Sequence, residues 1–295
     1  MTSNRMRLIR AWSVGLAVVS AHSVVAPAQD PSWLAPFPPF RIAGNLHYVG
    51  SEGLASYLVT SARGHILINS GLEASVPQIQ RSVEALGFRF TDVKILLLSH
   101  AHWDHAAGSA LVKKLTGATI MVMSGDAEVM ATGGRTDFQY GDPTRADYPA
   151  VHVDRVLHDG DTVSLGGNVL VARLTPGHTK GCTTWTMRVS AQSGTREVVI
   201  VGSPNVNPGY LLFGNTKYPN IRADFERTFV VLRSLKADIF LGAHGSYFEL
   251  AAKYERWRRG DRDAFVDPSG YERFVADRER AFIRAREAQR RASRN

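Results

Sequence analysis

The first half of the chain alternates short apolar runs with segments of helical periodicity. The apolar runs predict β-strands at residues 42–49, 56–60, 65–69, 93–98 and 118–123. The run at 93–98 is apolar except for Lys94, which is typical of a strand buried on both faces. Apolar residues at helical spacing predict helices over 76–86 and 107–115, ended by Gly87 and Gly117.

The second half repeats these elements in a different order. Strands are predicted at residues 162–165, 169–174, 183–189, 197–201 and 237–241, with an amphipathic helix over 222–235. Two β-rich halves flanked by helices predict an α/β protein, arranged as a four-layer αβ/βα sandwich with one sheet from each half. From the pattern alone, an open three-layer sheet fits nearly as well.

The N-terminal segment has a different pattern. Arg5, Arg7 and Arg10 precede an apolar run over residues 11–25, and Ala26-Pro27-Ala28 offers a small-residue cleavage site. This order predicts a secretory signal peptide over residues 1–28, and the run is too short for a membrane span. A buried N-terminal helix is disfavoured by the polar, Pro-rich segment that follows. We therefore expect a periplasmic protein without a membrane anchor, in which residues 29–295 form one catalytic domain.

The net charge of +8 raises the possibility of a nucleic-acid partner. Three arginines lie in the predicted signal peptide, and residues 253–295 hold 13 basic against 8 acidic residues. Residues 29–252 are therefore balanced, and the basic C-terminal stretch predicts a solvated helix face rather than a binding surface. No nucleic-acid partner is expected. The single cysteine, Cys182, excludes an intramolecular disulfide.

The segment Ser99-His100-Ala101-His102-Trp103-Asp104-His105 follows the apolar strand directly. Three imidazoles and a carboxylate within six residues are rarely accepted by a core without a partner. On a loop at a strand end, His100 and His102 can converge on one point while Asp104 and His105 face another. The segment therefore predicts two metal sites, each of which needs further ligands because zinc takes four.

Two further histidines occur beside a glycine after a predicted strand. They are His178 in Thr175-Pro176-Gly177-His178 and His244 in Gly242-Ala243-His244. Spacing alone does not decide which of them joins which site. We assign no catalytic role to the remaining histidines, which are His22, His47, His65, His152 and His158.

With its H-x-H-x-D-H motif, the chain resembles the metallo-β-lactamase superfamily over residues 40–265. It is most like the third subclass of the class B β-lactamases, to which the segments PFPPFRIAGNLHYVG, TPGHTKGCTTWTM and VGSPNVNPGY are also similar. The resemblance implies the αβ/βα sandwich and two zinc ions per chain. It also implies the pairing: one zinc ion held by His100, His102 and His178, and one by Asp104, His105 and His244.

Two positions depart from the wider superfamily. Many relatives carry an aspartate that bridges both metals after the 197–201 strand, and other class B enzymes have a cysteine ligand there. This chain has Gly202-Ser203, as in the third subclass, and Cys182 lies elsewhere. Asn69 stands where the superfamily often has aspartate, which leaves open how the ligands are oriented here.

The resemblance implies zinc-dependent hydrolysis of the β-lactam amide bond of penicillins, cephalosporins and carbapenems by a metal-bound hydroxide, conferring antibiotic resistance. Asp104 is the expected catalytic residue, as a ligand that also orients the hydroxide. Ser203, Asn205, Asn207 and Gln139 are candidate substrate-binding residues for the β-lactam carboxylate, with Tyr140 and Trp33 as pocket walls. A turn-forming role fits Asn205 and Asn207 nearly as well. No G-x-S-x-G elbow surrounds Ser203, and a monomer is expected.

Three other functions remain open from the residues. A lactonase or thioesterase is disfavoured by the missing bridging aspartate, and a nuclease by the predicted signal peptide and the balanced charge of residues 29–252. A non-catalytic zinc-binding protein is disfavoured because closed structural sites use four protein ligands, whereas each predicted set has three.

Overall fold

The computed structural model describes residues 30–191 and 194–293, so the predicted signal peptide lies outside the described residues. The first sheet has seven strands in chain order: β1 Phe40–Ala43, β2 Leu46–Tyr48, β3 Tyr57–Val59, β4 His65–Ile68, β5 Val93–Leu97, β6 Thr119–Met123 and β7 Arg155–Leu157. Strands β1 to β4 pair antiparallel, and β4 to β7 pair parallel. All four residues of β4 are buried, as expected for a strand covered on both faces.

The single strand predicted at residues 42–49 is wrong. A tight turn divides it into β1 and β2, and Gly44 adopts a φ of 52° there. A Cβ at this position would lie 2.5 Å from the Ser190 carbonyl oxygen. Glycine is therefore required both by the left-handed backbone and by the contact with the second sheet.

The second sheet contains β8 Thr162–Leu165, β9 Asn168–Leu174, β10 Thr183–Ala191, β11 Gly194–Val201 and β12 Ile239–Gly242, in the spatial order β12-β11-β10-β9-β8. Its strands pair antiparallel except β11 and β12, which are parallel.

Seven α-helices accompany the two sheets in the described part of the chain. They are α1 Val76–Ala85, α2 Trp103–Ala106, α3 Ser109–Thr116, α4 Ser124–Ala131, α5 Ile221–Ser234, α6 Leu250–Arg258 and α7 Pro268–Ala292. None of the described helices is both long and apolar enough to cross a membrane.

The buried residues form two clusters that define the layers. Helices α1, α3 and α4 share one cluster with a face of the first sheet, through residues such as Ile79, Val112 and Leu96. The other cluster joins the two sheets and extends to α5 and α7. The order of layers is helix, sheet, sheet, helix, which confirms the predicted α/β sandwich and excludes an open three-layer sheet.

The basic C-terminal stretch is only partly the solvated helix that its charge predicts. Helix α7 buries Tyr271, Val275 and Phe282, and the Phe282 ring stacks on Phe225 of α5 at 5.5 Å between centroids. The charges occupy the outer face, while the apolar face of α7 forms part of the fold.

Candidate metal centre

The loop after β5 carries the first three histidines, and hydrogen bonds fix its backbone on both sides. The Ser99 amide donates to Asn69 Oδ1 at 2.8 Å, and the Ser99 carbonyl accepts from the Thr183 amide at 2.7 Å. These bonds tie the loop to one strand end in each sheet. The loop is therefore held at the junction of the two halves of the sandwich.

The next peptide of this loop has its own partners. The Ala101 amide donates to Asp126 Oδ2 at 2.9 Å, and the Ala101 carbonyl accepts from the Tyr148 hydroxyl at 2.6 Å. Ala101 lies between His100 and His102, so these two bonds orient both histidines.

His100, His102 and His178 form the first group of side chains. All three are buried, and their ligand atoms lie within 4.8 Å of one another. His102 Nδ1 lies 3.1 Å from His178 Nε2.

Asp104, His105 and His244 form the second group. Asp104 Oδ2 lies 3.1 Å from His105 Nε2 and 3.6 Å from His244 Nε2, and the two imidazole nitrogens are 3.2 Å apart. Asp104 and His105 belong to α2, so this part of the predicted loop is one turn of helix. The structure thus brings the six predicted ligand side chains into one cluster. The ligand atoms of His100 also lie within 4.8 Å of those of Asp104 and His105, so His100 is near both groups.

These distances fit zinc. Ligand atoms 2.0–2.2 Å from a tetrahedral zinc ion lie about 3.3–3.6 Å apart. The separations of 3.1–3.6 Å in the second group are close to this value. Among the described residues, neither ring nitrogen of His100 has a hydrogen-bond partner, nor does Nδ1 of His105. Buried imidazole nitrogens without partners are costly unless a ligand completes them, so the site is a metal-binding site.

Contacts outside the two groups orient the rings. His178 Nδ1 donates to the Asn205 carbonyl at 2.8 Å, which leaves Nε2 free to face the site. His102 Nε2 lies 3.5 Å from Asp137 Oδ2, on the ring edge opposite the nitrogen that approaches His178. Such contacts are the usual means by which proteins fix the tautomer of a metal-ligating histidine.

The electrostatics of the site favour the protonation states that a metal requires. Burial lowers the pKa of His178 to about 3 and that of His244 to about 4, and holds the pKa of His100 well below its usual value. Burial would raise the pKa of Asp104, but the neighbouring His105 outweighs it and the pKa is lowered. At neutral pH these groups are neutral imidazoles and a carboxylate.

His102 differs from the other histidines. Burial lowers its pKa, but the hydrogen bond and charge of Asp137 outweigh burial, so that the pKa is raised. Asp137 therefore strengthens the basicity of this ring.

Asn69 has a role that aspartate could not fill in the same way. It is fully buried with a φ of 64°, a left-handed conformation that asparagine tolerates. Its Oδ1 accepts from Ser99, while its Nδ2 donates to the Ala55 carbonyl at 3.2 Å. An ionised carboxylate can only accept, so it would face that carbonyl unpaired.

Asp126, at the start of α4, is a residue of the site that the sequence did not predict. Its carboxylate accepts from Ala101 N, from Thr179 Oγ1 at 2.8 Å and from Gly181 N at 2.8 Å. It thereby joins the loop of His100 and His102 to the loop of His178. Burial raises the pKa of Asp126 to about 6. The only sequence signal is an acidic residue one turn beyond a predicted strand, which is too common to single it out.

No carboxylate occupies the end of β11 in this structure. Cys182 lies against the Ser203 backbone, donating to its carbonyl at 3.4 Å and accepting from its amide at 3.2 Å. Burial raises the pKa of the Cys182 thiol to about 12. The thiol is therefore neutral and serves packing.

A cavity of about 220 Å³ opens over the two groups of ligands. Of the predicted substrate contacts, Ser203, Asn205 and Asn207 line it, together with Tyr140 and Trp33. Gln139 does not line it; its amide nitrogen lies beside Gly209.

Two cavity residues were not predicted. Trp103 is 39% exposed and meets Trp33 edge to face at 5.3 Å between centroids. The Tyr247 hydroxyl lies 3.1 Å from Ser203 Oγ. Trp103 lies within the H-x-H-x-D-H segment, but at a position that the motif leaves unspecified, and Tyr247 belongs to no motif.

The other described histidines lie apart from the site. His47 and His65 pack edge to face against Phe88, and the exposed His152 lies 4.0 Å from Asp154.

Known proteins that are similar to this chain belong to one superfamily of metal-dependent enzymes. A family model described as the metallo-β-lactamase superfamily matches residues 52–190. The native FEZ-1 metallo-β-lactamase from Legionella gormanii is 50% identical, with a TM-score of 0.85, over 87% of this chain and 98% of that one. The class B3 di-zinc metallo-β-lactamase LRA-12 from an Alaskan soil metagenome is 36% identical, with a TM-score of 0.84, over 88% of this chain and 98% of that one.

Curated proteins match over a shorter region. A probable metallo-hydrolase from Burkholderia pseudomallei is 34% identical over 139 residues, which are 46% of this chain and 45% of the relative. The alignment thus spans about half the length of the curated relatives.

Proposed function

Because the chain belongs to the metallo-β-lactamase superfamily and matches class B3 enzymes over nearly their whole length, we propose that it is a zinc-dependent β-lactamase. The reaction is hydrolysis of the β-lactam amide bond of penicillins, cephalosporins and carbapenems, and it confers resistance to them. One observation supports this proposal: the six predicted ligand side chains cluster under a cavity that Ser203 lines, and the end of β11 carries Gly202-Ser203 instead of a carboxylate.

The ligand sets indicate catalysis rather than a structural role. Three protein ligands per ion leave a coordination position open, whereas structural zinc sites use four. Bound zinc would supply Lewis acidity and lower the pKa of water to about 7.

The residues of the chain have distinct tasks in this proposal. The neutral imidazoles of His100, His178 and His244 would hold the ions without adding charge. Asp104, held ionised by His105, would be a ligand of the second ion and would accept a hydrogen bond from the water. The Trp33 and Trp103 rings line the cavity beside Asp104 and restrict the approach of bulk water.

Ser203 is proposed to bind the substrate carboxylate rather than to attack the amide. A hydrogen bond to a charged group contributes ~1.5–3 kcal/mol, which is about ten- to a hundredfold in affinity. We expect Ser203→Ala to raise KM by that factor with kcat and zinc content preserved. Intact-mass analysis during turnover should find no acyl adduct; an adduct on Ser203, or a collapse of kcat, would contradict the role.

The decisive experiment uses zinc-reconstituted protein with a penicillin, a cephalosporin and a carbapenem. Turnover that is lost with a chelator and restored by zinc supports the proposal. A lactone and a thioester are assayed in parallel, because hydrolysis of one of these without any β-lactam turnover would refute it.

Secretion to the periplasm is part of the same proposal. We expect N-terminal sequencing of periplasmic protein to begin at Gln29, and the remaining residues 29–295 to behave as one monomeric domain in sedimentation. An N-terminus that retains residues 1–28 would contradict secretion by cleavage.

A further inference from the structure

Arg278 of α7 carries a positive charge that no carboxylate in the described part of the chain neutralises. Two nearby arginines of the helix have carboxylate partners: Arg280 pairs with Asp277, and Arg286 with Glu226 at 3.1 Å. Arg278 is half-buried, and among the described residues no carboxylate lies within 4.0 Å of it. A half-buried cation without an anion is costly, so a partner from outside the chain would stabilise it.

Arg278 reaches the edge of the metal-site cavity through Asn205. Its Nη1 donates to Asn205 Oδ1 at 3.2 Å, and its guanidinium lies over the Phe274 ring, 5.6 Å from the centroid. Phe274 packs against Tyr247, with ring centroids 5.0 Å apart. Helix α7 therefore holds the Arg278 charge directly behind two residues that line the cavity.

In the hydrogen bonds that run from Arg278 to the cavity, the donor and the acceptor of each bond are fixed. A guanidinium can only donate, so it makes the side-chain oxygen of Asn205 the acceptor and decides which way the amide is turned. The Asn205 Nδ2 must then donate to the Tyr247 hydroxyl oxygen, at 2.6 Å.

The same logic continues to Ser203. Among the described residues the Tyr247 hydroxyl has two partners, Asn205 Nδ2, which donates to it, and Ser203 Oγ at 3.1 Å, so its own hydrogen is donated to Ser203 Oγ. Ser203 Oγ is then an acceptor from Tyr247, and its own hydrogen remains to be donated. Ser203 lines the cavity, so this donor faces a bound ligand.

We propose that Arg278, through Asn205 and Tyr247, forms a directional hydrogen-bond chain that turns Ser203 into a donor, and so positions Ser203 for the carboxylate contact that the proposed function gives it. Arg278 is a positioning residue: it acts through Asn205 and Tyr247 and adds its positive charge behind them. The ligand class is a cyclic amide with a carboxylate beside its ring nitrogen. The choice of a cyclic amide rests on the proposed function.

A matched pair of probes isolates the carboxylate. 5-Oxoproline is an unstrained cyclic amide with a carboxylate next to its ring nitrogen, and its primary amide is the neutral counterpart. Binding of both to the zinc-loaded protein is measured by NMR titration, which needs no turnover. Penicillin hydrolysis is assayed separately, so that its absence would count against the proposed function and not against the hydrogen-bond chain.

Three variants and a control define the test. Arg278→Met removes the charge and the donor, Arg278→Lys keeps the charge, and Tyr247→Phe breaks the chain while leaving the arginine in place. Arg280→Met is the control, since that residue is exposed and paired on the same helix.

We expect Arg278→Met to weaken binding of 5-oxoproline about tenfold, the lower end for a hydrogen bond to a charged group. Binding of the neutral amide should change less than about twofold, because no ion contact is lost. Tyr247→Phe should act in the same direction, Arg278→Lys should restore part of the preference for the acid, and Arg280→Met should leave it unchanged.

Equal preferences for the acid in Arg278→Met and Arg280→Met would overturn the proposal, since the metal ions alone would then hold the carboxylate. An equal loss for the acid and the amide would do so as well, because it would indicate general damage to the cavity.

Discussion

Tyr148→Phe tests whether the backbone anchors of the ligand loop set metal affinity. The substitution removes one hydroxyl and keeps the ring. Tyr148 is buried, and its hydroxyl donates at 2.6 Å to the carbonyl of Ala101, which is itself buried between His100 and His102. A buried acceptor that loses its donor costs about 1–3 kcal/mol. We therefore expect the free energy of unfolding of the metal-free protein to fall by that amount.

The effect on metal binding follows from where Ala101 lies. In the variant, its carbonyl can recover a partner only if the loop shifts, and a shift moves both histidines of the first group. If about 1 kcal/mol is recovered in this way, the dissociation constant for zinc at that site rises about fivefold. Larger shifts would approach the ten- to hundredfold losses typical of contacts that orient ligands. Competition with a chromophoric chelator measures the constant.

Tyr271→Phe is the matched control. Its hydroxyl also donates to a buried carbonyl, that of Leu232 at 2.7 Å, but between α5 and α7. The control should lose similar stability and keep its zinc affinity within about twofold. If both variants lose stability alike and bind zinc alike, the reasoning that these anchors position the ligands is refuted.

Three further predictions concern the same site. His178→Ala should empty the first metal position and His244→Ala the second, so elemental analysis should find one zinc ion per chain in each; two ions in both would refute the assignment. Gly177→Ala should destabilise the fold by about 2–5 kcal/mol in denaturant unfolding, because φ is 123° and the added Cβ would lie 2.6 Å from the Phe225 ring; an unchanged midpoint would contradict this. In the metal-free protein, the lowered pKa values of His178 and His244 mean that the unfolded chain binds more protons below the ordinary value of 6.5. The pKa values of His47, His65 and His100 are lowered as well, whereas the raised pKa values of His102 and of Asp126, at about 6, act in the opposite direction. Because the lowered histidines outnumber the raised groups, stability should fall as the pH drops from 7 to 5; a thermal unfolding midpoint that rises over this range would contradict the sign.

Local patterns in the sequence predicted the parts of the fold that depend on burial of neighbouring residues. The apolar run that forms β5, interrupted only by Lys94, predicted a strand covered on both faces, and β4 and β5 lie at the centre of the first sheet. The pattern failed at β1 and β2, where apolar residues continue through a turn that Gly44 makes possible. Periodicity indicates which residues are buried. It does not reveal a two-residue turn that reverses the chain direction inside a buried run.

Four of the six proposed ligands could be recognised from the sequence, because they are concentrated in one short motif and a buried histidine or aspartate needs a partner. His178 and His244 were recognised only as histidines beside a glycine after a predicted strand, and their pairing came from the family resemblance. The residues that orient these ligands could not be recognised from the sequence. Tyr148 and Asp126 lie 47 and 25 positions from Ala101, and Arg278 lies 73 positions from Asn205. No periodicity connects such pairs.

The pairing of these distant groups depends on how the two sheets and α7 pack, since a hydrogen bond requires its atoms to lie within about 3 Å. The composition of residues 253–295 predicted a charged helix. The number of charges does not indicate which arginine of that helix faces the protein interior. Tertiary packing decided that Arg278 lies behind the cavity while Arg280 faces solvent, because the buried face of α7 must cover the apolar side of α5 and the second sheet.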